Sequence, residues 1–186
     1  IADVTVFTTH KTLCGPRAAV ILTTNEERAA RVDSAVFPGE QGGPHVNKLA
    51  ALAVAFKLAG TPQFKALQHQ IVANAGALAR SLQKRGIRLA YGGTDTHLLL
   101  ADLRSVKSPT GYPLRGEIAA RLLEICGIVV NKNTIPGDEV TALASGIRLG
   151  TPWVTQRGMR EPEMDKIADL IHRVVSDVRA FSYVGL

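Results

Sequence analysis

Lys11 follows the β-prone run Val4-Thr5-Val6-Phe7 and sits in Thr8-Thr9-His10-Lys11-Thr12-Leu13-Cys14-Gly15-Pro16-Arg17. A lysine at the mouth of a buried strand is a costly charge unless it reacts or is paired. One chemistry that uses such a lysine is Schiff-base formation, in which a partly desolvated amine loses its proton and attacks a carbonyl. The same stretch would also make an ordinary surface turn. Arg148 poses a parallel question, because it stands inside the short apolar run Ile147-Arg148-Leu149. A guanidinium there is expensive unless it meets an anion, and its planar fork matches a carboxylate bidentately. The competing reading is an arginine turned outward from a half-exposed strand. Gly42-Gly43, just before Pro44, could let backbone N–H groups approach phosphate oxygens at a helix N-terminus, or could be a common loop.

These residues need elements to hold them. Val4–Phe7 and Ala18–Leu22 read as two strands, the second buried, with the lysine loop between them. Asn25 is a natural N-cap, with Glu26 and Glu27 in the first helical turn. After the glycine loop a helix is expected over about 45–58; its run Leu49–Phe56 is apolar nearly all round, which predicts burial in the core or at a subunit contact. Pro62 opens a longer helix to about Arg85, with Phe64, Leu67, Ile71, Ala75, Leu78 and Leu82 as its apolar stripe. Ile87–Tyr91 and Leu98–Leu103 read as strands about a Gly-Gly turn. A polar loop over Ser105–Pro113 and a helix over about 114–126 capped by Gly127 follow. Ile128–Val130 and Gly146–Leu149 read as strands, and the last helix starts near Glu161. Its predicted buried face is Ile167, Leu170, Ile171, Val174, Val175 and Val178. A domain boundary is expected between residues 60 and 61, and the mixture of helices and strands gives an α/β or α+β class.

Composition narrows the function classes. The chain has 186 residues, 46% hydrophobic and 20% charged, as expected for a globular protein with a real core. No apolar run approaches the roughly 20 residues of a membrane span. The net charge is +6, but the basic residues are scattered and aromatics are only 5% of the chain, so nucleic acid is not an expected partner. The positive excess would instead draw in an anionic cofactor and substrate. Cys14 and Cys126 lack paired spacing and suggest reduced thiols, and Ile1-Ala2-Asp3 has no basic n-region; the expected location is cytoplasmic. His45, His69 and His172 share no ligand spacing, so no metal site is expected. His97 is expected to make a structural hydrogen bond.

Thr8–Arg17 resembles the cofactor-lysine segment of the serine hydroxymethyltransferase family of pyridoxal-phosphate (PLP) enzymes. Phe37-Pro38-Gly39-Glu40-Gln41-Gly42-Gly43-Pro44 is similar to that family's phosphate loop. Tyr91–Leu98, Val130–Asn133 and Ser145–Pro152 match in the same order, and the similarity runs from about residue 3 to about 181. The resemblance implies a fold type I PLP-dependent transferase, with residues 1–60 ending the large domain and 61–186 forming a small α+β domain. It implies Lys11 as the cofactor lysine, His10 beside it shaping its surroundings, and Thr8 offering a hydroxyl to the cofactor. Gly42 and Gly43 would reach the phosphate of a neighbouring subunit, making a homodimer or larger assembly with a shared site. Arg148 would hold the amino acid's carboxylate, Asn133 would contact the pterin of tetrahydrofolate, and Arg17 would support the lysine loop without reacting. The loop Gly137–Ala144 departs from the family's commoner pattern, lacking Ser-Pro-Phe near Val140 and being slightly shorter.

The implied reaction interconverts serine and glycine, with the one-carbon unit passing to tetrahydrofolate. By the same resemblance, the acidic partner of the pyridine nitrogen, the ring-stacking histidine, most phosphate ligands and the catalytic glutamate lie upstream of Ile1. The chain therefore reads as the C-terminal part of a longer enzyme, inactive alone: a separate subunit, a cleavage product or a partial chain. Two rivals remain open. One is a PLP-dependent aldolase of the same fold acting on β-hydroxy amino acids without folate; the other is a non-catalytic fragment that binds a partner chain.

Overall fold

The computed structural model describes residues 2–106, 109, 111 and 114–178. Lys107, Ser108, Thr110, Tyr112 and Pro113 of the predicted polar loop lie outside them. The chain divides into two compact units, Ile1–Lys65 and Ala66–Leu186.

In the first unit β1 (Thr5–Thr8) pairs antiparallel with β2 (Ala19–Leu22), Thr8 facing Ala19 and Thr5 facing Leu22. The lysine loop is therefore the connection of a two-stranded ladder. The expectation of burial fails here, since both strands are largely exposed and Val6 keeps 62% of its surface. A two-stranded ladder has no second layer of its own, so its apolar side chains stay uncovered. Helix α1 (Glu26–Ser34) begins as predicted, the Asn25 side chain accepting the Arg28 N–H at 2.8 Å. Helix α2 (Val46–Ala59) buries only Leu52 and Ala55. Its other apolar residues, Val54 at 59% exposure among them, are left largely uncovered by the described residues, so the predicted core position is not met.

The second unit is two-layered. Its sheet runs β3 (Arg88–Leu89), β4 (Leu98–Asp102), β6 (Gly146–Gly150), β5 (Asn131–Asn133), antiparallel throughout. One face is packed by α3 (Pro62–Lys84), α4 (Gly116–Ile125) and α6 (Glu161–Ser176). Leu99, Ala101, Ile147 and Leu149 from the sheet meet Leu78, Leu82, Leu123, Met164, Ala168 and Ile171 from the helices, all nearly inaccessible. Because strand side chains alternate, Leu98, Leu100 and Arg148 project from the opposite face.

Two predicted elements move. Ile128–Val130 is not a strand; the ladder is made by the polar triplet Asn131–Asn133. Ile128 N–H instead donates back to the Leu123 carbonyl at 2.8 Å, and Gly127 N–H to Glu124 at 2.9 Å, with Gly127 at φ +80°. This helix ending consumes the residues that would have paired. The amphipathic face of α6 also shifts: Met164, Ala168, Ile171 and Val175 are buried, whereas Leu170 is 48% exposed. A short helix α5 (Pro152–Gln156) was not foreseen.

Gly116 sets how closely α4 approaches the sheet, and Gly146 how closely Ile135 and the neighbouring strands approach β6. A Cβ on Gly116 would overlap the Gly146 carbonyl oxygen and lie 3.0 Å from the Ala144 carbonyl. A Cβ on Gly146 would lie 2.5 Å from Ile135 Cγ2 and 3.0 Å from the Ala101 and Asn133 oxygens. Neither place has room for a side chain, which fixes the strand that carries Arg148.

Candidate functional site

Thr9 organises the lysine loop. It is fully buried; its N–H donates to Ala18 O at 3.1 Å, and its hydroxyl donates to Pro16 O at 2.7 Å. Its carbonyl accepts Gly15 N–H at 2.8 Å, while Cys14 N–H closes a turn onto Lys11 O at 2.9 Å. Cys14 holds φ at +58° in that turn, a conformation uncommon outside glycine and asparagine. The backbone under Lys11 is thus tied down on both sides. Thr9 was not singled out from the sequence: of two adjacent threonines on an extended segment, one must face inward, and spacing alone does not say which.

The loop groups Thr8, His10, Lys11 and Arg17, as predicted residues of one loop must be, but with different surroundings. The side chains of Thr8, Lys11 and Arg17 are exposed and make no hydrogen bond or ion pair with any described residue. The desolvation argument for Lys11 therefore does not hold inside this chain. His10 is half-buried, and its Nδ1 is inaccessible yet unpartnered, an unfavourable state for a ring nitrogen unless another group meets it. Gly42 and Gly43 are exposed, and a Cβ on either would meet nothing within 4 Å. Nothing among the described residues obliges glycine there, and none of them accepts the two N–H groups.

On the second unit Arg148 projects from the open sheet face, with Leu100 opposite it on β4 and Asn131 opposite it on β5. It is exposed, so the cost argued from its apolar neighbours is avoided by alternation. Its guanidinium has no partner among the described residues. Asn133 lies on the same face, opposite Gly146. Its amide NH₂ donates to Thr134 O at 2.8 Å, which leaves its carbonyl oxygen as an available acceptor.

Both ends of the Arg148 strand are anchored by residues the sequence reading passed over. Asp138 accepts the Ser145 N–H at 2.8 Å and the Ile135 N–H at 3.1 Å, closing the loop between β5 and β6. Burial pushes the Asp138 carboxyl up, but these N–H groups outweigh it and leave it below its ordinary value. At the far end Thr151 donates its hydroxyl to Ile71 O at 2.7 Å and its N–H to His97 O at 3.0 Å. His97 takes part only through its backbone carbonyl; its ring makes no hydrogen bond with a described residue, so the side-chain bond expected of it is not found there. A cavity of about 450 Å³ in this unit is lined by Leu78, Ile128, Val130, Leu149, Trp153 and Met159 among others. It is apolar, has no charged residue in its lining and excludes Arg148. Among the described residues no group of three or more His, Cys, Asp or Glu is placed to hold a metal, and no helix is long and apolar enough to cross a membrane.

Comparison with known proteins bears on both units at once. The family model "Serine hydroxymethyltransferase" matches residues 1–171. The chain is 50% identical over 178 residues to a serine hydroxymethyltransferase of Endomicrobium trichonymphae, covering 95% of this chain and 41% of the relative. It is 52% identical over 172 residues to one from Myxococcus xanthus (strain DK1622), covering 92% of this chain and 40% of the relative. The chain thus spans about two fifths of the length of these curated relatives. With its mixed α/β architecture, it falls in the class of PLP-dependent transferases of fold type I. Within that class, the chain belongs to the serine hydroxymethyltransferase family.

Proposed function

We propose that this chain is the C-terminal part of an enzyme that interconverts serine and glycine, exchanging a one-carbon unit with tetrahydrofolate. The observation that carries the reading is the family match across both units, which takes in Lys11 on one and Arg148 on the other. PLP fits the residues present. An exposed amine with no partner and exposed glycine N–H groups with no acceptor among the described residues are what an aldehyde and a phosphate would use. Bound there, PLP supplies an electron sink for the bond broken at the amino acid's α-carbon.

The chain's own residues then have these roles. Lys11 holds the cofactor's aldehyde through its amine, on a backbone fixed by Thr9. Thr8 offers its hydroxyl to the cofactor, and His10 packs against it and shapes the lysine's surroundings. Gly42 and Gly43 present N–H groups to the phosphate held by a neighbouring subunit, in a homodimer or larger assembly whose contact covers part of α2. Arg148 clamps the amino acid's carboxylate with two parallel N–H donors. Asn133 offers its free carbonyl oxygen to an N–H of the pterin. Arg17 supports the lysine loop. On this reading residues 1–60 close the PLP-binding large domain and residues 61–186 form the small domain. The rest of the site belongs to an N-terminal portion, and the location is cytoplasmic.

The test is serine cleavage by the full-length enzyme with and without tetrahydrofolate. Folate-dependent release of the one-carbon unit is the expected result. Folate-indifferent cleavage of several β-hydroxy amino acids would identify an aldolase instead, and no turnover at all by a PLP-loaded full-length protein would leave only a binding role.

A further inference from the structure

Arg148 has a carboxylate within reach that it does not use. Asp102 lies opposite Gly146, and Leu100 lies opposite Arg148. Asp102 and Arg148 are therefore diagonal neighbours on adjacent strands and on the same face, a relation that long side chains span over about 7–8 Å. Two such groups on a half-open face would ordinarily pair.

Asp102 is instead filled by two other arginines. Arg88 donates Nε and Nη2 to Oδ2 at 2.9 and 2.6 Å. Arg104 donates Nε and its backbone N–H to Oδ1, at 2.9 and 3.0 Å, and Nη2 to Oδ2 at 3.0 Å. These donors saturate the lone pairs of one carboxylate, and the Asp102 side chain is only 5% exposed. Arg104 is held in turn by the Pro136 carbonyl at 3.1 Å. Asp138, the other carboxylate that acts on Arg104, is occupied by the Ile135 and Ser145 amides. Arg148 alone of these three arginines has no partner, and three guanidinium groups against the two carboxylates Asp102 and Asp138 leave a local positive excess that favours an incoming anion.

We propose that Arg88 and Arg104 are positioning residues for amino-acid binding: by occupying Asp102 they withhold it from Arg148 and keep that guanidinium open for the substrate's carboxylate. The inference rests on the reading of Arg148 as the carboxylate anchor.

The experiment uses the full-length PLP-loaded enzyme, with glycine Kd measured by calorimetry and kcat and KM measured for serine. In Arg88→Gln/Arg104→Gln, Asp102 is released to Arg148. An ion pair closed about five-sixths of the time raises glycine Kd and serine KM about sixfold, with kcat changed less than about twofold. Adding Asp102→Asn returns Kd to within about twofold of the parent, a rescue that a loss of packing would not show. No rise in the double variant, or a rise that Asp102→Asn does not reverse, overturns the proposal. Should the double variant fail to fold by circular dichroism, Arg88→Gln alone removes the more exposed donor. It then gives a smaller rise reversed by Asp102→Asn, and no rise overturns the proposal. Arg148→Gln separates the two levels. Unchanged glycine binding in that variant refutes the anchor itself, whereas weakened binding there with none in Arg88→Gln/Arg104→Gln refutes only the role of the two arginines.

Discussion

Asn74 is a fully buried amide in the middle of α3, and its replacement separates hydrogen bonding from volume as the source of stability in the second unit. Its NH₂ donates to Thr155 Oγ1 at 2.8 Å and to Met159 O at 2.9 Å, and its oxygen accepts from Gln70 at 3.0 Å. Thr155 passes the chain on to Thr151 O at 2.7 Å, and Thr151 directly follows the Arg148 strand. Asn74→Ala loses two buried donors and leaves a small void. At about 1–1.5 kcal/mol for each bond, plus the cavity, the loss is about 3 kcal/mol. Asn74→Asp removes no volume but turns a donor into an acceptor facing the Met159 carbonyl, and should cost at least as much near neutral pH. Amide hydrogen exchange in the full-length protein, followed by mass spectrometry over α3 and β6, reads this locally. About 3 kcal/mol corresponds to roughly two decades of lost protection. The carboxyl introduced by Asn74→Asp would be pushed up by burial, so acidification should restore part of the protection as it protonates and can donate again. Protection in Asn74→Asp within about threefold of the parent at neutral pH would refute the argument.

Gly116→Ala should destabilise the α4–β6 contact by about 3 kcal/mol, because the new methyl meets backbone oxygens that cannot rotate away; the midpoint of urea unfolding of the second unit would report it, and an unchanged midpoint would contradict it. Asp165 is held down to about 2 from its ordinary 3.8 by the Arg85 guanidinium, with help from the Ser81 hydroxyl. A carboxyl lowered on folding contributes stability that is complete above about pH 4 and is lost as pH falls through about 2. Asp165→Asn should therefore flatten the acid side of the stability profile in that window, and a slope equal to the parent's would show that the pair does not couple to folding.

Much of the helical frame was legible because it rests on local signals. Asn25, Pro62 and Gly127 mark a start, a start and a stop, and the structure puts helix ends within a residue or two of them. What was not legible depends on partners distant in the chain. Ile128–Val130 has the composition of a strand, yet the Ile128 amide serves the end of α4 while the polar Asn131–Asn133 pairs with β6. The burial of β1 and β2 was inferred from their apolar residues, but a unit of this size supplies no second layer to cover them, and of the two places expected for α2, core or subunit contact, the core is not the one it takes. Among the candidate residues, Lys11 on the first unit and Arg148 on the second stood out by residue type against their neighbours. Thr9, Asp102, Asp138 and Asn74 did not, since each is an ordinary polar residue whose importance comes from a backbone or side chain brought to it by folding.

The central claim is that Lys11 is the cofactor lysine, and covalent trapping tests it most directly. The full-length protein loaded with PLP is reduced with borohydride, digested, and the modified peptide located by mass spectrometry. The account predicts a pyridoxyl group on the peptide containing His10 and Lys11, fragmenting to place it on the Lys11 amine. A protein that binds PLP but carries the reduced label on a different lysine, or on none, would contradict it.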